Sequence, residues 1–141
     1  MTFGVLGDLN WWAVLVAIIA YFALGGLWFS NLLFAKPWIR ATGAEMAGGV
    51  NPGPSYYIGP LITCSVATVA TAMLAHATGT DTFAEGLVLG IVVGLGISAA
   101  VLSVTGFFDP QKAHPMLWVA ITAGYHLVGL TLVAVILALW T

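Results

Sequence analysis

Charged residues are scarce in this sequence. Only 6% of its 141 residues are charged, against about 25% in ordinary soluble domains. Three basic and five acidic side chains cannot cover the surface of a water-soluble domain of this length. Three basic residues also cannot neutralise a track of phosphates, so we expect no nucleic-acid partner. Because 61% of the chain is hydrophobic, the composition predicts a protein embedded in lipid.

The chain also lacks the residue patterns of common catalytic and metal sites. Its single cysteine, Cys64, excludes a disulfide within the chain and leaves no pair of thiolates for a metal. Neither a phosphate-binding loop nor a His-Glu-x-x-His pair is present. No nucleophile and base stand out as a pair. The sequence therefore predicts no catalytic residue, no metal ligand and no cofactor, and we do not expect an enzyme.

Four long apolar runs are present instead. At about 1.5 Å per residue in a helix, each is long enough to cross a hydrocarbon core of roughly 30 Å. They predict an all-α fold, a polytopic integral membrane protein that forms a bundle of four transmembrane helices. We expect one domain over residues 1–141, with spans at about 11–34, 56–77, 83–108 and 116–140.

Local signals mark the starts of three spans. Asp8 or Asn10 can cap the first. Thr82 and Glu85 fit a capping box, in which each side chain accepts a hydrogen bond from the other residue's backbone. Pro115 suits the first turn of the last span, because its missing N–H is no loss there.

The basic residues predict the orientation in the membrane. Lys36 and Arg40 follow the first span, where Pro37 can open a short interfacial helix, and Lys112 follows the third. These connections share one side, and positive loops face the cytoplasm. We therefore expect both termini outside. At that outer mouth, acidic side chains such as Asp81 either attract cations or are simply solvated.

A ladder of small residues is predicted to set helix packing. Gly86, Gly90, Gly94 and Ser98 are four residues apart and leave room for another backbone to approach. The partner is either the second span of the same chain, which we favour because it has its own edge of small residues, or the same ladder in another copy. The first span carries a second pair of glycines suited to helix packing, Gly25 and Gly26.

Several polar side chains are predicted to share the depth of the membrane midplane. His126 lies ten residues beyond Met116, which is about 15 Å of helical rise. A polar group at that depth must face the bundle interior and find a partner, because lipid offers none. The others near this depth are Tyr21, Cys64, Thr68, Ser98 and Tyr125.

Two interpretations of His126 remain open. In the first, its ring bonds to Ser98 or Thr68 and only fastens the helices together. In the second, it lines a hydrated cavity and relays protons or holds a polar ligand.

A second group with two interpretations lies where the first span ends. It is either an aromatic belt with a lysine reaching the interface, or a binding lip for a lipid head group or a small polar molecule. Its members are Trp28, Ser30, Asn31, Lys36 and Trp38.

Residue patterns near both termini resemble those of a known family. The stretches are NWW at 10–12, GGLWFS at 25–30, LFAKPW at 33–38 and AGYHL at 123–127. Together they resemble an uncharacterised bacterial membrane family, domain-of-unknown-function family 1761 (DUF1761), in which tyrosine is common where Phe29 stands here. The resemblance implies a small four-span protein of the bacterial plasma (inner) membrane, and it assigns no catalytic or binding residue.

Two functions fit these features best. One is a transporter or channel for protons, ions or a small polar ligand, with its site around His126. Since four short spans make a thin bundle, we expect a homo-oligomer. The other is a non-catalytic accessory or scaffold subunit that packs through glycine ridges on another membrane subunit. Membrane lipids are partners in both cases.

Overall fold

The computed structural model describes residues 2–43 and 53–140, and within them all regular elements are helices. Four helices are long and apolar enough to span a membrane, as predicted. The helices, after a 3₁₀ turn at Phe3–Gly7, are α1 (Trp11–Trp28), α2 (Ala35–Thr42), α3 (Ser55–Thr78), α4 (Phe83–Phe108, π-helical over Val92–Ala99) and α5 (Pro115–Leu139).

The first span is shorter than predicted. The expected helix over 11–34 ends at Trp28, because Ser30 forms a turn there. The Ser30 hydroxyl donates to Leu27 O at 2.7 Å and accepts the Leu32 N–H at 3.2 Å. Such side-chain bonds to the backbone compete with helical ones. The chain then enters α2, the short helix that Pro37 predicted.

The predicted caps are present. Asn10 Oδ1 accepts the backbone N–H groups of Trp12 and Ala13 at 3.2 and 3.3 Å. Glu85 N–H donates to Thr82 Oγ1 at 3.3 Å, while Thr82 N–H donates to Glu85 Oε2 at 3.1 Å. These bonds satisfy donors that a helix start would otherwise leave unpaired.

The last helix, α5, is the centre of the bundle. It packs against α1, α3 and α4 and is the most buried of the four spans, whereas α4 is the least buried. α3 also packs against α1. The bundle is therefore a cluster of three helices with α4 laid against the outside of α5.

The glycine ladder packs against α5, so the preference for the second span was wrong. A Cβ added to Gly86 would lie 2.9 Å from Ala138 Cβ, and one added to Gly94 would lie 2.9 Å from Leu127 Cα. At Gly90 an added Cβ would overlap Thr131 Cα. The small edge of α3 misled the prediction because α3 itself packs on α1 and α5.

The π-helical segment changes the register of α4 against α5. From Gly86 to Gly94, each four-residue step along α4 is matched by a similar step back along α5. Continued, that register would bring Gly106 opposite Pro115, but Gly106 faces Trp118 and Val119 instead. A π-helix places more residues in each turn than an α-helix, so Val92–Ala99 accounts for the shift.

The start of α1 and the end of α5 lie at one end of the bundle, and the basic residues lie at the other. We call the first the terminal end, where Asn10 Nδ2 donates to Trp140 O at 3.1 Å. We call the second the loop end, where His114 N–H donates to Ala41 O at 3.1 Å.

Candidate functional site

Three helices bring polar side chains together inside the bundle. Tyr21 of α1, Cys64 of α3, and Tyr125 and His126 of α5 form what we call the inner polar group. The Tyr21 hydroxyl contacts Nδ1 of His126. Tyr125 Oη lies 3.4 Å from Cys64 Sγ and donates to Tyr21 O at 3.3 Å. All four were expected at similar depth, and the structure joins them through direct contacts.

The direction of these bonds follows from the number of protons. Tyr125 has one hydroxyl proton, which it donates to the Tyr21 carbonyl. The Cys64 thiol is then the donor in its contact with Tyr125, since a thiol can donate weakly and a hydroxyl oxygen can accept. These bonds therefore run from Cys64 of α3 through Tyr125 of α5 to the backbone of α1, and the Tyr21 hydroxyl contacts His126 separately.

Glycines make room for the two tyrosine rings. A Cβ on Gly129 would overlap the ring of Tyr21, and a Cβ on Gly25 would lie 2.8 Å from Tyr125 Oη. Gly26, by contrast, faces open space within the described residues. Gly25 thus accommodates an aromatic side chain from α5, and Gly26 contacts no neighbouring helix there.

The hydrogen-bond partner expected for His126 was wrong. It contacts Tyr21, and no hydrogen bond joins it to Ser98 or Thr68 among the residues that the structure describes. Ser98 is half-buried in the π-helical segment of α4. The Thr68 side chain is fully buried, and its hydroxyl has no partner within the described chain. Thr68 lies one turn from Cys64 on the same face of α3, so it borders the inner polar group.

The residues of the expected binding lip differ in exposure. Trp28 is half-buried, and its Nε1 donates to Ile121 O of α5 at 3.1 Å. Trp38 is half-buried with its ring 5.5 Å from that of Phe29. Only Asn31 and Lys36 have exposed side chains. Trp28 therefore joins α1 to α5, and the binding lip stays a prediction.

An ion pair orders the turn that precedes α5. Lys112 Nζ lies 3.0 Å from Asp109 Oδ2 and 4.9 Å from the centre of the Trp118 ring. The hydrogen bond from the Gln111 backbone N–H makes the largest contribution to lowering the pKa of the Asp109 carboxyl, and the hydrogen bond from the Lys112 side chain lowers it further. The basic residue of this turn therefore has local partners.

A cleft of about 450 Å³ opens at the terminal end. Its inner wall includes Val14 of α1, Ala72 of α3 and Leu137 of α5, all buried. Thr68 lies one helical turn below Ala72 in α3. The cleft lining includes neither His126 nor Ser98, so this cleft is not the hydrated cavity of the second interpretation of His126.

The polar residues of this cleft were not predicted as a set. They are Asp8, Asn10, His76, Thr80 and Asp81. They come from two separate stretches of sequence, residues 8–10 before α1 and residues 76–81 between the last turn of α3 and the start of α4. Their positions at the ends of α1, α3 and α4 were the only signal, because the topology brings those ends to one side.

Comparison with known proteins yields one match. A family model described as "Protein of unknown function (DUF1761)" matches residues 12–138. No curated protein matches the chain, and no solved structure does.

Proposed function

We propose a function from the chemistry of the inner polar group. The chain belongs to the DUF1761 family, and the description of that family assigns no activity. The protein is a transporter or channel that moves protons or a small polar ligand across the membrane. The observation that supports this is the set of contacts that links Cys64, Tyr125, Tyr21 and His126 across three helices of an apolar bundle. Ionisable groups within membrane spans typically mark ion and proton pathways.

Burial and access both bear on this proposal. Tyr21 is 1% exposed and Cys64 4% exposed, whereas His126 is half-buried. The group is therefore enclosed around Tyr21 and Cys64 and reaches the surface of the bundle at His126. The terminal-end cleft stops one helical turn from Thr68. A transport cycle would separate α1 or α3 from α5 at Val14 and Leu137, which lie between cleft and group.

The fastener interpretation makes a different prediction about energy. A hydrogen bond between membrane helices contributes only about 0.6 kcal/mol on average. If Tyr21 and His126 merely fasten helices, removing the contact should lower stability slightly and leave any flux unchanged. If they carry protons or ligand, flux should disappear at the same small cost in stability.

Scaffolding through glycine ridges has less support. Gly86, Gly90 and Gly94 contact α5 of the same chain, so a partner subunit would have to use another surface. The outward face of α4 is apolar and exposed, and lipid is sufficient to cover it. We retain a homo-oligomer as part of the proposal, with copies meeting through such a face.

The test is flux of protons and small cations in proteoliposomes. We expect His126→Ala and Tyr21→Phe to reduce flux to the level of protein-free liposomes, because each removes one side of the Tyr21–His126 contact. The matched control is His114→Ala at the loop end, where the side chain is exposed and makes no capping bond; it should keep native flux.

Two results would contradict transport. The native protein could show no flux above empty liposomes, or His126→Ala could conduct as well as His114→Ala. Thermal unfolding of each variant, measured before reconstitution, ensures that only folded proteins are compared.

A further inference from the structure

The terminal-end cleft is open to the surface and large enough to hold a small molecule. Its volume of about 450 Å³ lies within the range of small-molecule pockets, roughly 300–1,000 Å³. The hydrogen bond from Asn10 to Trp140 O, at 3.1 Å, ties the start of α1 to the end of α5 at its edge. This bond fixes how close the two helix ends are at the edge of the cleft.

The charges around the cleft favour a cation. Asp8 and Asp81 both line it, and neither forms an ion pair with any residue that the structure describes. No lysine or arginine lines it, because all three basic residues of the chain lie near the loop end. A concave site lined by charge of one sign concentrates ligands of the opposite sign.

The inner wall favours a ligand with an apolar part. Ala13, Val14 and Leu137 are at most 7% exposed and form the buried floor of the cleft, while its accessible apolar surface includes Leu9, which is half-buried, and Trp140, which is 47% exposed. Trp140 adds an aromatic ring at the mouth, and aromatic faces attract cations. A bare inorganic ion would leave this apolar wall unused.

The donor set does not suit a metal ion. Within residues 2–43 and 53–140, no three His, Cys, Asp or Glu side chains are grouped closely enough to hold one. His76 lines the same cleft as Asp8 and Asp81 without completing such a set. One carboxylate can still accept hydrogen bonds from an ammonium group, which carries its own donors.

We propose that the terminal-end cleft binds a small organic ammonium compound. The ammonium group lies between Asp8 and Asp81, and the hydrocarbon part lies against Leu9 and Trp140. This site does not depend on the transport proposed above, since binding at the cleft requires no passage through the inner polar group.

Three probes of nearly the same shape and different charge test the site: 2-phenylethylamine, 2-phenylethanol and phenylacetate. Binding is measured by calorimetry on the full chain in nanodiscs of zwitterionic phosphatidylcholine, with empty nanodiscs subtracted to remove partitioning into lipid. At pH 7 we expect saturable binding of the amine and at least about tenfold weaker binding of the alcohol and the acid.

Substitution of the carboxylates locates the site. Asp8→Asn combined with Asp81→Asn should raise the Kd of the amine by about tenfold or more, because charged hydrogen bonds are lost. The control is Glu85→Gln, which removes a carboxylate from the same end. Glu85 does not line the cleft, and glutamine can still complete the capping box. This variant should bind as the native protein does.

Each of several results would overturn the proposal: no saturable amine binding, equal binding of amine and alcohol, native affinity in the double variant, or an equal loss in Glu85→Gln. The last would indicate only a diffuse surface charge. Failure of transport is a separate outcome, because a protein without flux can still bind the amine in these nanodiscs.

Discussion

Replacing Gly90 by alanine is expected to destabilise the protein severely, although it adds only one methyl group. The new Cβ would overlap Thr131 Cα and lie 3.1 Å from Leu130 O. These are backbone atoms of α5, which cannot rotate away as a side chain could. Overpacking of this kind costs roughly 1–3 kcal/mol, and we expect the upper part of that range because α4 packs mainly on α5.

The chain contains its own reporter for this measurement. Cys64 is the single cysteine and is 4% exposed, so a thiol-reactive fluorogenic dye labels it on unfolding. The midpoint of labelling during heating in mild detergent should fall clearly in Gly90→Ala. The control is Gly96→Ala in the same helix, where an added Cβ meets nothing within 4 Å. Equal midpoints for the two variants would show that the ladder is not in close contact with α5.

Replacing Tyr21 by alanine should cause the second large loss of stability. The ring is 1% exposed, lies 5.3 Å from the ring of Tyr125, and fills the space beside Gly129. Truncating a buried aromatic residue costs about 3–5 kcal/mol in soluble proteins. In a membrane, the truncated side chain would otherwise face lipid and not water, so the hydrophobic part of this cost is lost and packing supplies most of what remains. We therefore expect a loss of stability of roughly 2–3 kcal/mol.

Two control variants separate the effect of losing the Tyr21 ring from the effect of losing its hydroxyl, and from the effect of losing a tyrosine at an exposed position. Tyr21→Phe should cost only about 0.6 kcal/mol, the average for a hydrogen bond between membrane helices. Tyr57→Ala removes a tyrosine that is 57% exposed and should have little effect. Unfolding is followed by circular dichroism in a titration of denaturing detergent, since a cavity at Tyr21 could itself expose Cys64. If Tyr21→Ala is no less stable than Tyr57→Ala, the described packing is wrong.

The elements predicted well are those that depend on neighbouring residues in the chain. Apolar length determines a spanning helix because every backbone group in lipid must be paired internally. Asn10, the Thr82–Glu85 box and Pro115 act within one turn of their own helix. The prediction extended the first span too far, because the turn at Ser30 is formed by side-chain hydrogen bonds to the backbone. Hydropathy does not detect such bonds.

The partners of the inner polar group were predicted only in part. Helical rise places Tyr21, Tyr125 and His126 at a common depth, because depth depends on position within a single helix. Which of them touch depends on how each helix is rotated and which helix lies beside it. His126 therefore contacts Tyr21 where Ser98 or Thr68 was expected.

The sequence alone determined that this protein is a bundle of apolar helices with both termini at one end, and it located the polar residues along each helix. Only the tertiary structure decided that α5 is central, that Gly90 meets Thr131, and that Asp8 and Asp81 share a cleft. The physical reason is that lipid makes all apolar helix faces nearly equivalent. Neighbours are then selected by shape and by a few hydrogen bonds between residues far apart in the chain.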